Sequence, residues 1–211
     1  MINSKYLRPD SQVLSFSLVG VGGQGTILAS NVLAELGLNL GYDVKKAEVH
    51  GMSQRGGSVT SYVRWGEKVF SPIVPEGEAD ILVAFEKMEA ARFYYHLHPG
   101  GLALVNDYSI IPITVSAQLE ANNGPIYPRD ETIRAALARV TDDTHWVEGV
   151  AIAESLGNAK TANVVVLGAL SALMEIEVTL WLKVIEARVP SKYIELNQKA
   201  FEAGRKAVLL V

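Results

Sequence analysis

"SLVGVGGQGTILAS" occupies residues 17–30, with glycines at Gly20, Gly22, Gly23 and Gly25. An apolar run precedes them and a helix-like run follows. The spacing G-x-G-x-x-G between a strand and a helix is the dinucleotide-binding pattern. In that reading Gly20 allows the tight turn out of the strand, Gly22 lets the backbone approach a phosphate, and Gly25 lets the helix lie close to the sheet. N–H groups at the helix start then favour an anion. The same glycines also serve a fold with no ligand, by letting helix and strand pack closely. A different ligand, or a partner surface, is the third reading.

The dinucleotide reading needs an acidic side chain about twenty residues further on, at the end of the second strand. Asp43 and Glu48 are the candidates in "DVKKAEVHG" (43–51). Asp43 lies at the wrong end of that strand. Glu48 lies nearer the right end but runs into "VHGMSQRGG" (49–57), which is unlike a ribose-binding turn. This second loop sets His50, Ser53, Gln54 and Arg55 between glycines, followed by Gly56 and Gly57. In a parallel sheet it and the 20–25 loop leave the carboxyl ends of strands and line one crevice. Arg55 then offers a two-pronged donor to a carboxylate or phosphate; otherwise it is an exposed arginine on a surface loop. The candidate ligand- or partner-binding residues are Gly20, Gly22, Gly23, Gln24, Gly25, Thr26, His50, Ser53, Gln54, Arg55, Gly56 and Gly57. None is assigned a catalytic role or a metal. His96 and His98, just before "PGG", read as a solvated helix end, with a metal pair as the alternative.

Outward from the motif, strands are expected over 13–20, 43–51, 57–66, 79–86, 101–107 and 144–150, with a short one near 111–116. Ile27, Leu28, Val32, Leu33 and Leu36 recur at helical spacing, and Gly41 is placed to end that helix in the left-handed conformation. Helices are expected over 87–97 and over 129–140, the latter capped by Asp130, and residues 151 onward favour helix. Alternating strands and helices, with helices last, predict an α/β, Rossmann-like three-layer fold with a mostly parallel sheet and a helical C-terminal part. Residues 1–12 read as a flexible lead-in and 13–211 as a single domain.

The 211 residues are 49% hydrophobic, enough for a sizeable core. A formal net charge of −4 with no basic block gives no nucleic-acid footprint. No apolar run is long enough to span a bilayer, and the polar start lacks a signal-peptide core. The expected compartment is the cytoplasm. With 0 cysteines, the chain supplies no disulfide and no thiolate-ligated iron–sulfur cluster.

"GVGGQGTILASNVLAE" followed by "AEVHGMSQRGGSV" resembles the gamma-type subunits of 2-oxoacid:ferredoxin oxidoreductases. The form "HGMSQRGG" is most similar to the indolepyruvate branch of that family. "ADILVAFEKMEAAR", "NVVVLGAL" (163–170) and "NQKAFEAG" (197–204) extend the likeness over residues 13–206. The resemblance implies an accessory subunit of a complex that converts a 2-oxoacid and coenzyme A to an acyl-CoA and carbon dioxide while reducing ferredoxin. It implies a Rossmann-like domain without hydride transfer, inactive alone and holding no cofactor tightly. Thiamine diphosphate and iron–sulfur clusters would sit on a large partner subunit. Coenzyme A would be used through the complex, its diphosphate a candidate to face the glycine loop. An NAD(P)-dependent dehydrogenase and a stand-alone nucleotide-binding regulatory module are the competing readings.

Overall fold

The computed structural model describes residues 5–50, 56–111 and 127–209. Six strands form one sheet in the order β2-β3-β1-β4-β5-β6. They are β1 (Val13–Val21), β2 (Asp43–His50), β3 (Ser58–Gly66), β4 (Ala79–Ala84), β5 (Leu97–Asn106) and β6 (Thr144–Val147). The helices are α1 (Thr26–Asn39), α2 (Lys87–Phe93), α3 (Asp130–Leu137), α4 (Gly149–Ser155), α5 (Ala162–Leu173), α6 (Val178–Arg188) and α7 (Ile194–Leu209).

The three-layer α/β architecture follows from side-chain alternation. Phe16, Leu18, Ile81, Val83, Leu102 and Leu104 point to one face, where they join Leu33, Leu36, Leu167 and Phe201 of the α1, α5 and α7 layer. Val19, Leu82, Ala84, Ala103 and Val105 point to the other, under Ala90 of α2 and Leu137 of α3. Helices on both faces bury β4 along its whole length, hence its unbroken apolar reading "ADILVA". The pairs β1–β4, β4–β5 and β5–β6 are parallel. β3 is the exception. It pairs antiparallel with both β1 and β2 and separates them.

Several expected boundaries move, each for a physical reason. The helix expected over 87–97 ends at Phe93 and passes through a 3-10 turn, Tyr94–His96. β5 accordingly starts at Leu97 rather than at 101. Pro99 and Gly100 are absorbed by a register shift between Ala79 and Ile81 of the neighbouring strand, with Gly100 at φ 83. Asp130 is the first residue of α3, whose N-cap is Arg129. Its carboxylate accepts instead from Lys87 Nζ at 2.8 Å. β6 ends at Val147 because α4 begins at Gly149. Gly41 does take a positive φ, 84°, after α1. The short strand expected near 111–116 falls almost wholly outside the described residues.

Residues 5–12 pack on the domain. Tyr6 is buried, and the Arg8 amide donates to Asp80 Oδ1 at 3.0 Å while the Ser15 amide donates to Oδ2 at 2.6 Å. His96 is not at a solvated helix end. It is buried among Tyr62, Phe93 and Tyr95, with Nδ1 3.0 Å from Ser17 Oγ. His98 turns to another partner, Asp80, at 3.8 Å.

Helices α5 and α7 touch backbone to backbone. A Cβ on Gly168 would stand 2.0 Å from the Phe201 carbonyl oxygen, and one on Gly204 1.9 Å from that of Val165. Gly204→Ala is therefore expected to force the helices apart, costing roughly 1–3 kcal/mol. At about 2–4 °C per kcal/mol for a domain of this size, thermal unfolding should show a loss of several degrees.

Burial holds the His96 pKa below its ordinary 6.5, the nearby Glu76 charge opposing only in part. The unfolded chain therefore takes up this proton first as pH falls. The neutral ring's contribution is present above pH 6.5 and is lost as pH falls from there through the folded pKa. In His96→Gln that acid-sensitive part disappears. Urea unfolding at about pH 7.5 and about pH 5.5 should show a smaller stability loss in the variant than in the parent.

Candidate functional site

The carboxyl ends of β1, β4 and β5 meet at one edge of the sheet. The chain leaves β1 at Val21, turns through Gly22–Gly25 and enters α1 at Thr26. Gly23 has φ 104 and Gly25 φ 81, the left-handed region that favours glycine. No side-chain hydrogen bond caps α1 and no acidic residue stands in its first turn, so no carboxylate there offsets its positive end. Gln24 folds back over the turn. Its Oε1 accepts from the Val21 amide at 2.7 Å and its Nε2 donates to the Phe85 carbonyl at 2.8 Å. Asn106 Nδ2, at the end of β5, donates to the same carbonyl at 3.0 Å. Its Oδ1 accepts from the Gly149 amide at 2.8 Å, which fixes the start of α4.

A cleft of about 340 Å³ opens over this floor. Gly22, Gly23 and Gln24 form one side, Tyr108 and Ile110 the opposite wall, and Lys160 and Asn163 stand at the entrance to α5. Lys160 is on a 3-10 turn whose amide is capped by Asn158 Oδ1 at 3.0 Å. Asn163 lies against the glycine turn, its Nδ2 2.2 Å from where a Cβ on Gly25 would be. Among the residues lining the cleft, only Tyr108 and Lys160 carry titratable side chains. Among the described lining residues there is no paired acid and base and no nucleophile with a base beside it. The cleft is mostly apolar, with Phe85, Ile110 and Val150 in its lining, and its polar groups are the glycine-turn backbone, Gln24, Asn106, Tyr108, Lys160 and Asn163.

The two sequence motifs do meet. The Gly22 amide donates to the Gly57 carbonyl at 2.9 Å, and Val21 pairs with Ser58 across β1 and β3. Gly56 has φ 74. The backbone of His50 ends β2 opposite Val59. Ser53, Gln54 and Arg55 lie outside the described residues. Gly20 lies within β1, and Thr26 is buried as the first residue of α1, behind the turn rather than in the cleft. Sequence reasoning missed Asn106, Tyr108, Ile110, Lys160 and Asn163. The segment "LGNAKTAN" (156–163) held the usable signal: a glycine, a capping asparagine and a lysine just ahead of a buried helix.

The geometry is also unlike a dinucleotide site. There, the strand beside β1 ends in the ribose-binding acid. Here that neighbour is β3, which presents its beginning, not its end. The end of β2 stands two strand spacings away, about 10 Å. Glu48 is engaged by Lys46, and Asp43 by Lys45 and the Val69 amide at the far end of the sheet.

Residues 15–207 match the family "Pyruvate ferredoxin/flavodoxin oxidoreductase". The chain belongs to that family. It is 41% identical over 196 residues to the indolepyruvate oxidoreductase subunit IorB of Thermococcus kodakarensis, covering 90% of this chain and 93% of the relative. It is 39% identical over 193 residues to the subunit of the same name in Pyrococcus horikoshii, with the same coverage. The solved gamma subunit of a keto/oxoacid ferredoxin oxidoreductase from Geobacter sulfurreducens superposes with a TM-score of 0.67 at 25% identity, covering 94% of this chain and 99% of that one. The fold also forms 32% of a longer chain, a 2-oxoglutarate:ferredoxin oxidoreductase of Magnetococcus marinus, with a TM-score of 0.71 at 19% identity over 96% of this chain. The same fold thus occurs both as a separate chain and as part of a longer one, and this chain is an oxidoreductase subunit.

The contact between Gly25 and Asn163 is testable by coupling. Gly25→Ala meets both the positive φ, worth about 1–2 kcal/mol, and the Asn163 side chain. Asn163→Ala removes only the second. The double variant should therefore be more stable than the two single losses sum to, by about 0.5–3 kcal/mol in a denaturation cycle.

Proposed function

We propose that this chain is the accessory subunit of a 2-oxoacid:ferredoxin oxidoreductase of the indolepyruvate, aryl-pyruvate type. The complex oxidatively decarboxylates the 2-oxoacid to an acyl-CoA and passes the electrons to ferredoxin. The observation that carries the reading is the 41% identity with an indolepyruvate oxidoreductase subunit over nine-tenths of both chains. A chain with 0 cysteines cannot supply the thiolates of an iron–sulfur cluster. In this reading, as the likeness to the family implies, the clusters and thiamine diphosphate sit on a large partner subunit, working in the cytoplasm. This chain contributes binding. Its cleft combines the backbone of the glycine turn, Gly22 and Gly23, with Lys160 and Asn163, a set that fits the diphosphate of coenzyme A.

In this reading the candidate residues act on ligand or partner. Gly22, Gly23, Gln24 and Gly25 shape the anion side of the cleft. His50, Ser53, Gln54, Arg55, Gly56 and Gly57 form the neighbouring loop, with Arg55 as the fork that clamps a carboxylate or phosphate.

Copurification from the native source tests partner and cofactors together. The chain alone should be colourless and inactive, and the complex brown and active. Lys160→Ala in the complex should raise the KM for coenzyme A about tenfold, the scale of one charge-assisted contact. Arg55→Ala should cost roughly 2–5 kcal/mol in assembly or coenzyme A binding if its anion is buried. Arg55→Lys should already be damaging, because a point charge does not replace a planar fork. Both should leave the melting temperature of the isolated chain unchanged. Wild-type turnover and assembly in Arg55→Ala would return that loop to an exposed arginine.

A further inference from the structure

Behind the cleft, and lining none of it, lies the first turn of α2. Glu86 and Glu89 on this turn are both buried. Glu86 Oε2 accepts from the Glu89 amide at 2.9 Å, as the N-cap of α2. Its Oε1 accepts from the Ile110 amide at 3.0 Å and from the Tyr127 hydroxyl. The Tyr127 oxygen in turn accepts from the Met88 amide at 3.2 Å. Between the two glutamates, the Lys87 amide donates to the Tyr108 carbonyl at 3.0 Å. Tyr108 and Ile110, the far wall of the cleft, are thus both hung from this turn.

The near side is hung from it as well. Glu89 Oε2 accepts from Ser58 Oγ, and its Oε1 lies 3.3 Å from Arg92 Nη1. Ser58 follows Gly57, whose carbonyl receives the Gly22 amide of the glycine turn. One turn of helix therefore reaches both walls of a site it does not enter.

We propose that Glu86 is a positioning residue for coenzyme A binding: its carboxylate fixes the Tyr108–Ile110 wall against the glycine turn. The inference rests on the reading of the cleft given under Proposed function. The chemistry requires an acceptor on both oxygens. Ile110 N–H and Tyr127 O–H meet Oε1, and Glu89 N–H meets Oε2. A carboxylate only accepts, whereas a carboxamide must turn an NH2 toward one of these donors. The cationic neighbours are committed elsewhere, Lys87 to Asp107 and Asp130 and Arg92 to Glu89. Among the described residues Glu86 is therefore held by oriented donors alone, and its geometry is set by where those donors stand.

Glu86→Gln tests this with no change in volume, and Tyr127→Phe removes one donor from the partly exposed rim in case the buried change prevents folding. Two measurements are made on each: amide hydrogen exchange at Glu89 and Ile110 in the isolated chain, and steady-state kinetics of the complex with its large subunit. Glu86→Gln is expected to lose protection at one of the two amides and to raise the KM for coenzyme A about tenfold with kcat held within about twofold. Tyr127→Phe is expected to do the same to a smaller extent, about threefold in KM. Lost protection with an unchanged KM would overturn the positioning role and leave the cleft reading standing, as would a fall in kcat alone. Undiminished protection in both variants would overturn it at the level of the contact itself. If Lys160→Ala leaves the coenzyme A KM unchanged, the cleft reading fails and this inference fails with it.

Discussion

The carbonyl of Phe85, at the end of β4, receives two side-chain amides, one from Gln24 and one from Asn106. Gln24 reaches it from the turn that follows β1, and Asn106 from the end of β5. Their other ends are occupied too, Gln24 Oε1 by the Val21 amide and Asn106 Oδ1 by the Gly149 amide. One oxygen atom thus ties together β1, β4, β5 and the start of α4. Buried amides in a low-dielectric setting are costly when half satisfied and rigidifying when complete. Here the set is complete, and the floor of the cleft is as rigid as the sheet beneath it.

The place of β3 decides what can lie on that floor. A doubly wound fold opens a crevice where the order of strands reverses, and a dinucleotide spans it because parallel strands end on both sides. Inserting an antiparallel strand beside β1 leaves the glycine turn in place and removes its usual partner. The neighbouring loop then comes from a hairpin, the β2–β3 connection, and is tied to the glycine turn by the bond from Gly22 to Gly57. The third glycine changes meaning as well. Gly25 makes room for Asn163 of α5, a helix of the C-terminal part. The same three glycines thus serve a cleft between a turn and a later helix.

The fold was legible because its signals are local and strong. The apolar runs of β1 and β4 and the helical spacing through Val32, Leu33 and Leu36 needed no tertiary information. The antiparallel course of β3 was not, since "SVTSYVRWG" carries the same alternation in either direction. β5 was read four residues short because Pro99 and Gly100 normally break a strand, and only the bulge against β4 accommodates them. Of the site, the glycine turn was visible by its spacing. Asn106 and Asn163 were not, because each meets a partner more than forty residues away, Gly149 and Gly25 in turn, and Lys160 joins the cleft only because the fold brings the entrance to α5 there. His96 failed for the opposite reason. Its polar surroundings in sequence, "YYHLHPGG", suggest solvent, yet Ser17 and three aromatic rings enclose it.

A subunit that binds without reacting acts on the rate only through position. Binding that is equal in ground state and transition state lowers KM and leaves kcat alone. Fixed placement of a reactant against a reacting centre held on another chain does more, because it removes freedom that would be lost in the transition state. Such placement demands stiffness across the whole path from ligand to interface. Under the proposed reading the cleft is held by Gln24, Phe85 and Asn106, and behind them by Glu86 and Glu89, all of them anchored at strand ends, in the glycine turn or on one helical turn. Loops alone would not supply that stiffness, since their backbone bonds face water and open easily. The buried carboxylates behind the cleft are the means by which two loop walls acquire the rigidity of the sheet.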